Sequence, residues 1–274
     1  TDNRVQGLYI RANTDGLSAA HAEELRDALA RFRESGKFVI AHVQPAGIRL
    51  SMAGFMAIAD SDQIWMQEAG EVPPMGLSSE VTFFGATLRR YHLQADFEAR
   101  EEYKTFANDL TQTAFTPSHR EATTSLMTGL YDTMLAHIAA DRGITPAQVR
   151  AAIEATPMPA ARAVELRLVD ELGRPEAAAH AALDRAGDNT QMVDFDDYVA
   201  RPQSRSGPVI AVVQGEGPIV TGEAEPTIFG DDPMMMSDTI SEALLDAARD
   251  ENVRAIIFRV SSPGGSVVAS DQIL

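Results

Sequence analysis

The sequence predicts an α/β protein in which the strands of a parallel sheet alternate with helices. Two observations lead to this class. Short apolar runs alternate along the chain with patterns that have the period of helices. In addition, one strand–turn–helix unit recurs near both ends of the chain. The composition, with 45% hydrophobic and 23% charged residues among 274, is that of a globular protein with one large domain or two ordinary ones.

The repeated unit relates the beginning of the chain to its end. The segment 4–18 aligns without a gap with the segment that starts 248 residues later, which pairs Gly16 with Gly264 and Ser18 with Ser266. Each copy is predicted to form a buried strand, a tight turn and a helix capped by the serine. Chance similarity of two such units is the alternative, and the matching turn residues favour the repeat.

Helices and strands continue to alternate through the first half. The predicted elements are a helix at 18–34, a strand at 38–43, an apolar stretch of small residues at 51–59, a strand at 64–66, a long helix at 117–141 and a short helix at 160–168. Thr145, Pro146 and Gln148 predict the N-cap, the first-turn proline and the capping-box partner of a further helix. Strands joined by helical crossovers favour a parallel sheet.

Three regions follow from this pattern. Residues 1–185 are predicted to form the N-terminal repeat, the polar residues 186–207 a linker, and residues 208–274 the start of a truncated C-terminal repeat. The last region opens with a strand at 209–213, and residues 215–233 are predicted to form a surface loop. Because the chain opens just before a strand and stops inside a predicted helix, we expect it to be a fragment of a longer protein.

Charge and residue types exclude several classes of function. A formal net charge of −17 disfavours nucleic-acid phosphates and anionic lipid head groups as partners. The absence of cysteine excludes disulfides, zinc thiolates and a cysteine nucleophile. The six histidines never adopt the spacing of a helix-borne zinc site, so each is predicted to be a surface residue or a hydrogen-bonded core residue. The sequence also has no P-loop and no complete dinucleotide-binding fingerprint, so we expect no metal and no cofactor.

One turn has the chemistry of an oxyanion site. In the segment 259–266 a strand leads into Pro263-Gly264-Gly265, and two adjacent glycines leave backbone N–H groups uncovered by side chains. The helix predicted to follow adds partial positive charge at its N-terminus. Fixed N–H donors of this kind stabilise the negative charge that develops on a carbonyl oxygen during acyl transfer. An ordinary β–α turn is the alternative, because Pro-Gly-Gly is common turn chemistry.

Two distant motifs resemble the signal peptide peptidase A (protease IV) family. The segment 256–266, with the lead-in 219–222, is similar to the signature turn of that family. In the first half, Glu-Tyr-Lys-Thr at 102–105, followed by the segments 116–117 and 120–122, resembles the part of the family that carries its catalytic lysine. The motifs occur in the order of the family. The resemblance implies a Clp/crotonase-like α/β fold built from two tandem β-β-α spiral repeats.

The resemblance also implies a Ser–Lys dyad. It assigns Lys104 as the general base, and Gly264 and Gly265 as oxyanion donors. The nucleophilic serine of the family lies one strand and one helix after the Pro-Gly-Gly turn, so we expect it beyond the end of this chain. In the first repeat the corresponding position is Met52, which cannot attack a carbonyl, and Ser51 beside it is an alternative nucleophile.

The chain departs from the family shortly after the lysine. Asn108-Asp109-Leu110 stands where a family member has Glu-Pro-Phe, which changes the local backbone that would place Lys104. Acidic residues precede and follow that lysine, and a solvated lysine in a charged stretch is the alternative to a catalytic one. Acidic groups close to Lys104 in space would favour its charged form, in which it cannot act as a base.

By resemblance, the protein is a serine endopeptidase that degrades cleaved signal peptides in the bacterial envelope, and residues 208–274 begin its catalytic repeat. The family implies peptide substrates, a homo-oligomer and a place at the periplasmic face of the inner membrane. No apolar run approaches the roughly 20 residues that span a bilayer, so any membrane anchor is expected outside this chain. The alternatives are a crotonase-type acyl-CoA hydratase or isomerase and a non-catalytic peptide-binding scaffold.

Overall fold

A computed structural model of the chain describes residues 2–12, 17–43, 51–200, 207–223 and 233–274. Some predicted features lie outside the described residues, namely Gly16, the linker residues 201–206 and the loop residues 224–232. The chain divides into two compact units, Thr1–Met192 and Val193–Leu274. No helix in the described ranges combines the length and apolar character that a membrane crossing requires.

Both units mix helices and strands, which confirms the α/β class. The first contains β1 (Gly7–Ala12), α1 (Ala19–Glu34), β2 (Phe38–Val43), α2 (Met52–Ile58), β3 (Gln63–Met66), β4 (Glu71–Val72), α3 (Gly85–Arg90), α4 (Asn108–Thr111), α5 (Pro117–Arg142), α6 (Pro146–Glu154), β5 (Met158–Pro159), α7 (Ala160–Glu165), β6 (Glu171–Leu172) and α8 (Pro175–Ala186). The second contains α9 (Phe195–Val199), β7 (Val209–Glu216), β8 (Ile219–Val220), β9 (Met235–Met236), α10 (Ser237–Arg249), β10 (Val253–Ser261) and α11 (Val267–Ile273).

A parallel sheet with the strand order β1-β2-β3-β6 organises the first unit. All six residues of β2 are buried. Phe38 and Ile40 pack against α8, while Ala41 and Val43 on the opposite face belong to the large core formed with α1, α2 and α5. A strand covered on both faces must be apolar on both, and the uninterrupted apolar run that predicted β2 reflects this position.

The apolar stretch predicted at 51–59 is a buried helix. Ser51 caps α2 by accepting a hydrogen bond from the Gly54 N–H at 3.0 Å, so the helix begins directly after it. All seven residues of α2 are buried. Small residues such as Ala53 and Gly54 allow the helix to approach its neighbours closely, and Met52 and Phe55 fill the remaining space.

Three predicted helix caps are confirmed, including the capping box formed by Thr145 and Gln148. Ser18 accepts a hydrogen bond from the His21 N–H at 3.2 Å, and Ser266 accepts one from the Ala269 N–H at 3.3 Å. Both serines thus bind the N–H group three residues further along the chain. The strand and the serine-capped helix of the repeated unit are therefore present at both ends of the chain.

Two predicted helices differ from the observed ones in extent or burial. The helix predicted at 160–168 ends earlier, at Glu165, because Arg167 has a φ of 60° and the Leu168 N–H turns back to bind the Ala163 carbonyl at 2.9 Å. In α5 the apolar residues that recur every fourth position from Leu126 to Ile138 are fully buried only in the second half of the helix. Leu126 is 62% exposed, whereas Met134 is buried.

The prediction of a buried strand in each copy of the repeat is wrong for β10, and in β1 only Ala12 is fully buried. Six of the nine residues of β10 are apolar, yet eight of the nine are exposed. Within the described part of the second unit, β10 pairs along one edge with β7 and packs against α10. The buried apolar cluster of this unit is small and contains Val213, Met235 and Ile240. The described part of the predicted loop at 215–233 includes the end of β7 and all of β8.

His42 corrects the prediction that every core histidine is fully hydrogen-bonded. The side chain lies on the sheet face that packs against α8, and it is completely buried. Nε2 lies 3.1 Å from the Gly173 carbonyl oxygen, which makes Nε2 the protonated nitrogen, but Nδ1 has no partner among the described residues. Burial, which penalises the charged imidazolium, lowers the pKa of His42.

A single carboxylate joins three elements around the sheet. Asp62 accepts hydrogen bonds from the Val39 N–H at 2.8 Å, from Arg33 Nε at 3.1 Å and from an Arg185 terminal nitrogen at 2.9 Å. Burial opposes ionisation of this carboxyl, but the Val39 hydrogen bond and the two guanidinium groups outweigh it and lower the pKa of Asp62. The contacts fix α1, β2 and α8 relative to one another.

We expect Asp62→Asn to destabilise the first unit by about 1–3 kcal/mol at pH 7, because hydrogen bonds to a charged group are lost. The native carboxyl has the lower pKa, so its contribution is present above the unfolded pKa of about 3.9 and declines as the pH falls through the native pKa. Urea unfolding followed by Trp65, the single tryptophan, measures both effects. Asp132→Asn, which removes an exposed ion pair, is the control. An equal loss in both variants would contradict the role of Asp62.

The stability of the first unit should also fall on acidification because of His42. The unfolded histidine, with a pKa near 6.5, binds a proton more readily than the native one, so stability is full above that pH and declines below it. His42→Gln should reduce the loss of stability between pH 7 and pH 5, measured by the same fluorescence. His180→Gln on the exposed side of α8 should leave the loss unchanged. Identical pH dependence in all three proteins would disprove this assignment.

Candidate active site

The Pro263-Gly264-Gly265 turn is held by main-chain contacts with β8. The Ile219 N–H donates to the Gly264 carbonyl at 3.0 Å, and the Ser266 N–H donates to the Ile219 carbonyl at 2.8 Å. Together these bonds form a parallel bridge between Ile219 and Gly265. Gly264 has a φ of 101°, a conformation that glycine adopts without strain.

The two candidate oxyanion donors differ in their hydrogen bonding. The Gly264 N–H donates to Ser262 Oγ at 3.1 Å, so it is already engaged. In a parallel bridge the N–H of the central residue points away from its partner strand, and the Gly265 N–H therefore faces away from Ile219. Within the described ranges no acceptor binds this N–H. Among the described residues Gly265 thus offers an unpaired donor in the turn between β10 and α11.

Close backbone contact explains why residue 265 is glycine. A Cβ atom there would overlap the Ile219 carbonyl oxygen and would come within 2.6 Å of the Ile219 nitrogen. Gly264 has no such restriction in space, and its requirement for glycine comes from its positive φ. The two glycines are therefore needed for different physical reasons.

Ser237 is a buried polar residue between β8 and α11 that the sequence analysis missed. Its hydroxyl accepts the Gly222 N–H at 3.3 Å and donates to Gln272 Oε1 at 2.9 Å. The serine is completely buried at the first position of α10, and it links the segment after β8 to α11. A serine next to the acidic residue Asp238 at a helix start resembles an ordinary capping group, so no sequence signal distinguishes it.

Lys104 lies in the connection between α3 and α4, and it is exposed. Its backbone N–H donates to the Glu101 carbonyl at 3.4 Å. The neighbouring Tyr103 hydroxyl donates to Glu121 Oε2 on α5 at 3.0 Å, and this bond to a carboxylate raises the pKa of Tyr103. No carboxylate among the described residues forms an ion pair with the Lys104 ammonium group. The acidic residues near it in sequence therefore do not pair with it in space.

The departure from the family motif after Lys104 forms the short helix α4. Asn108 begins this helix, and its amide nitrogen lies 3.5 Å from both Thr116 Oγ1 and His119 Nδ1. His119 is buried and its ring makes an edge contact with Phe115 at a centroid distance of 4.8 Å. The backbone after the lysine is thus attached to the start of α5.

The first repeat places its candidate residues in structural roles. Ser51 is engaged as the N-cap of α2, and Met52 is buried in the main core. In the part of the chain that the structure describes, no three histidine, aspartate or glutamate side chains converge as metal ligands would. Of the residues that the sequence analysis selected as candidates for acyl-transfer chemistry, those at the Gly265 turn and Lys104 have no such structural role among the described residues.

The fold and these two segments define an α/β protein with a glycine turn that is a candidate oxyanion site and an exposed lysine in a separate connection. Residues 31–188, more than half of the chain, match Peptidase family S49. The chain belongs to this family. The matched residues include Lys104 and the whole of the connection around it, as well as β2, α2 and β3 of the buried sheet.

Named proteases are among the proteins similar to this chain. It is 27% identical to "Protease 4" of Salmonella typhi and 23% identical to "Protease 4" of Haemophilus influenzae, in each case over 99% of its length. It is 19% identical to "Serine protease SPPA, chloroplastic" of Arabidopsis thaliana over 98% of its length. The chain spans less than half of each relative, namely 45%, 46% and 40% of their lengths.

Gly265→Ala should open the contact between the turn and β8, because the added methyl group overlaps the Ile219 carbonyl. We expect amide hydrogen exchange at Ile219 and Ser266 to become at least about tenfold faster, since both N–H groups form the bridge. Val268→Ala, at an exposed position of α11, is the control and should leave exchange unchanged. Unaltered exchange in Gly265→Ala would show that the turn does not depend on this contact.

Proposed function

We propose that this chain is part of a serine peptidase in which Lys104 is the general base and the turn at Gly264 and Gly265 binds the oxyanion. The observation that carries the proposal is the match to Peptidase family S49, which encloses Lys104. The protease names of the relatives support the same activity. The unpaired N–H of Gly265 supports the oxyanion role.

The proposed reaction begins with the attack of a serine hydroxyl on a peptide carbonyl. The serine is expected beyond Leu274, as the resemblance to signal peptide peptidase A implies. The uncharged amine of Lys104 accepts the proton of the hydroxyl, and it returns this proton to the leaving amine. The Gly265 N–H donates to the carbonyl oxygen as this atom becomes negative. The Gly264 N–H can contribute a second bond if the substrate oxygen replaces Ser262 Oγ.

A lysine base works only when water is kept away from it, because solvent favours the charged ammonium form. Lys104 is exposed in the chain by itself. The proposal therefore requires that bound substrate or the remaining protein cover this lysine during the reaction. The lack of an ion pair to a described carboxylate is consistent with this, since such a pair would hold the proton on the amine.

For the fold, we propose a Clp/crotonase-like arrangement of two tandem β-β-α spiral repeats. The shared offset of 248 residues supports it, because Ser18 and Ser266 cap corresponding helices through His21 and Ala269. In this scheme residues 1–185 are the first repeat, residues 186–207 the linker and residues 208–274 the start of the second, catalytic repeat.

The resemblance to signal peptide peptidase A extends the proposal to substrates and location. Cleaved signal peptides are the proposed substrates, and a homo-oligomer at the periplasmic face of the bacterial inner membrane is the proposed setting. Neither nucleic acid, metal nor cofactor takes part in the proposed reaction. A crotonase-type enzyme would use the same kind of turn to bind a thioester oxygen, but the family match favours the peptidase.

Lys104→Ala in the full-length protein should lower kcat/KM for a fluorogenic apolar peptide by about 10²–10⁴-fold at mildly alkaline pH, the usual contribution of a general base. Lys37→Ala is a matched control, since the sequence contains two lysines and Lys37 instead binds the Asp2 carbonyl at 2.6 Å. This control should retain its activity.

Retention of activity in Lys104→Ala would contradict the assignment of the base. Absence of peptidase activity in the unaltered protein, together with tight binding of coenzyme A, would favour the crotonase-type enzyme instead. Circular dichroism must show that both lysine variants are folded, so that loss of activity can be ascribed to chemistry.

A further inference from the structure

We infer that Gly85 and Asn108 are positioning residues for Lys104, because together they fix α4 between α3 and α5. The inference rests on the proposed function, in which Lys104 is the general base. Asn108 lies in the segment 108–110, where this chain departs from the family motif. Three steps lead from Gly85 to the lysine.

The first step is a main-chain connection between α3 and α4. The Phe84 N–H donates to the Asp109 carbonyl at 2.6 Å, and the Gly85 N–H donates to the Gln112 carbonyl at 3.1 Å. The start of α3 thus supplies donors for one carbonyl group within α4, that of Asp109, and for one directly after it, that of Gln112. Four-residue helices have little stability of their own, so these bonds hold α4 in place.

The second step is the close approach of Gly85 to the backbone at the end of α4, which leaves no room for a side chain. A Cβ atom at this buried position would overlap the Gln112 carbonyl oxygen, and it would lie 2.8 Å from the Gln112 carbonyl carbon and 2.9 Å from the Thr111 carbonyl carbon. All three atoms belong to the backbone and cannot move aside as a flexible side chain could. Any larger residue must therefore push α4 away from α3.

The third step attaches the other side of α4 to α5. The Asn108 amide approaches Thr116 Oγ1 and His119 Nδ1, both at 3.5 Å. His119 is anchored in turn by its N–H bond to Thr116 Oγ1 at 3.2 Å and by edge contacts of its ring with Phe115 and Phe83. The amide contacts are long and individually weak, but the one to His119 ends on a buried ring that packs against two half-buried phenylalanines.

These contacts act on Lys104 through a short piece of backbone. The Asn108 N–H donates to the Thr105 carbonyl at 2.9 Å and closes a turn that begins directly after the lysine. Three residues separate Lys104 from Asn108, so a displacement of α4 moves the lysine by a similar distance. The connection that carries Lys104 also contacts α5 through the hydrogen bond between Tyr103 and Glu121. The position of the amine therefore depends on α4.

The decisive experiment compares two glycine substitutions in the full-length protein. Gly85→Ala should lower kcat for a fluorogenic apolar peptide by about 10- to 100-fold with KM changed less than twofold, because an error of about 1 Å in a catalytic group costs up to 10²-fold. Gly129→Ala on α5 is the matched control, since a Cβ atom at Gly129 has no neighbouring atom within 4 Å outside its own helix turn. This variant should keep the kcat of the unaltered protein. Asn108→Ala should lower kcat in the same direction, whereas exposed Thr113→Ala should not.

A second measurement separates positioning from general loss of structure. Amide hydrogen exchange at residues 101–107 should become faster in Gly85→Ala and Asn108→Ala, while the unfolding midpoint followed by Trp65 stays that of the control variants. If Gly85→Ala unfolds, the comparison of Asn108→Ala with Thr113→Ala decides the question alone. If kcat is unchanged in the folded Gly85→Ala and Asn108→Ala variants while Lys104→Ala is inactive, the positioning role is overturned and the proposed function is not. Activity retained in Lys104→Ala instead overturns the proposed function itself.

Discussion

The structure depends most on the burial of β2 from both sides. A strand in which every residue is buried requires a helix layer on each face of the sheet, and α8 provides one layer while α1 and α2 provide the other. The Ser51 cap lets the buried helix α2 begin as soon as the chain re-enters the core. Asp62 then joins α1, β2 and α8 through one carboxylate. The connection that carries Lys104 lies outside this core. Its position depends on the contacts of α4 with α3 and α5 and not on hydrophobic packing.

Main-chain geometry, more than side-chain chemistry, shapes the candidate oxyanion site. Ile219 and Gly265 approach so closely that no side chain fits between them, and their bridge directs the Gly265 N–H away from β8. Ser237 stabilises the surroundings from a buried position by linking Gly222 and Gln272. A backbone donor of this kind needs no charged residue, which agrees with a site in a strongly acidic chain.

Local signals in the sequence predicted the elements that local physics determines. The apolar run of β2 and the capping box at Thr145 were confirmed because burial and N-cap chemistry act over a few residues. The exposure of β10 could not be predicted, because an apolar strand sequence does not reveal how many neighbours cover it. The missing partner of His42 Nδ1 and the contact of Gly85 with Gln112 also escaped prediction, since both depend on residues far apart or on backbone distances. The pairing of Lys104 with a serine remains a prediction from family resemblance.

The most direct test of the central claim is a crystal structure of the full-length protein with a peptide aldehyde bound covalently to its nucleophile. We predict that the aldehyde links to a serine beyond Leu274, with Lys104 Nζ about 2.6–3.2 Å from that serine oxygen. The Gly265 nitrogen should lie about 2.7–3.1 Å from the oxygen of the trapped adduct. A linkage to another residue, or a Lys104 amine remote from the adduct, would contradict the assignment of this chain's lysine and glycine turn to one peptidase reaction.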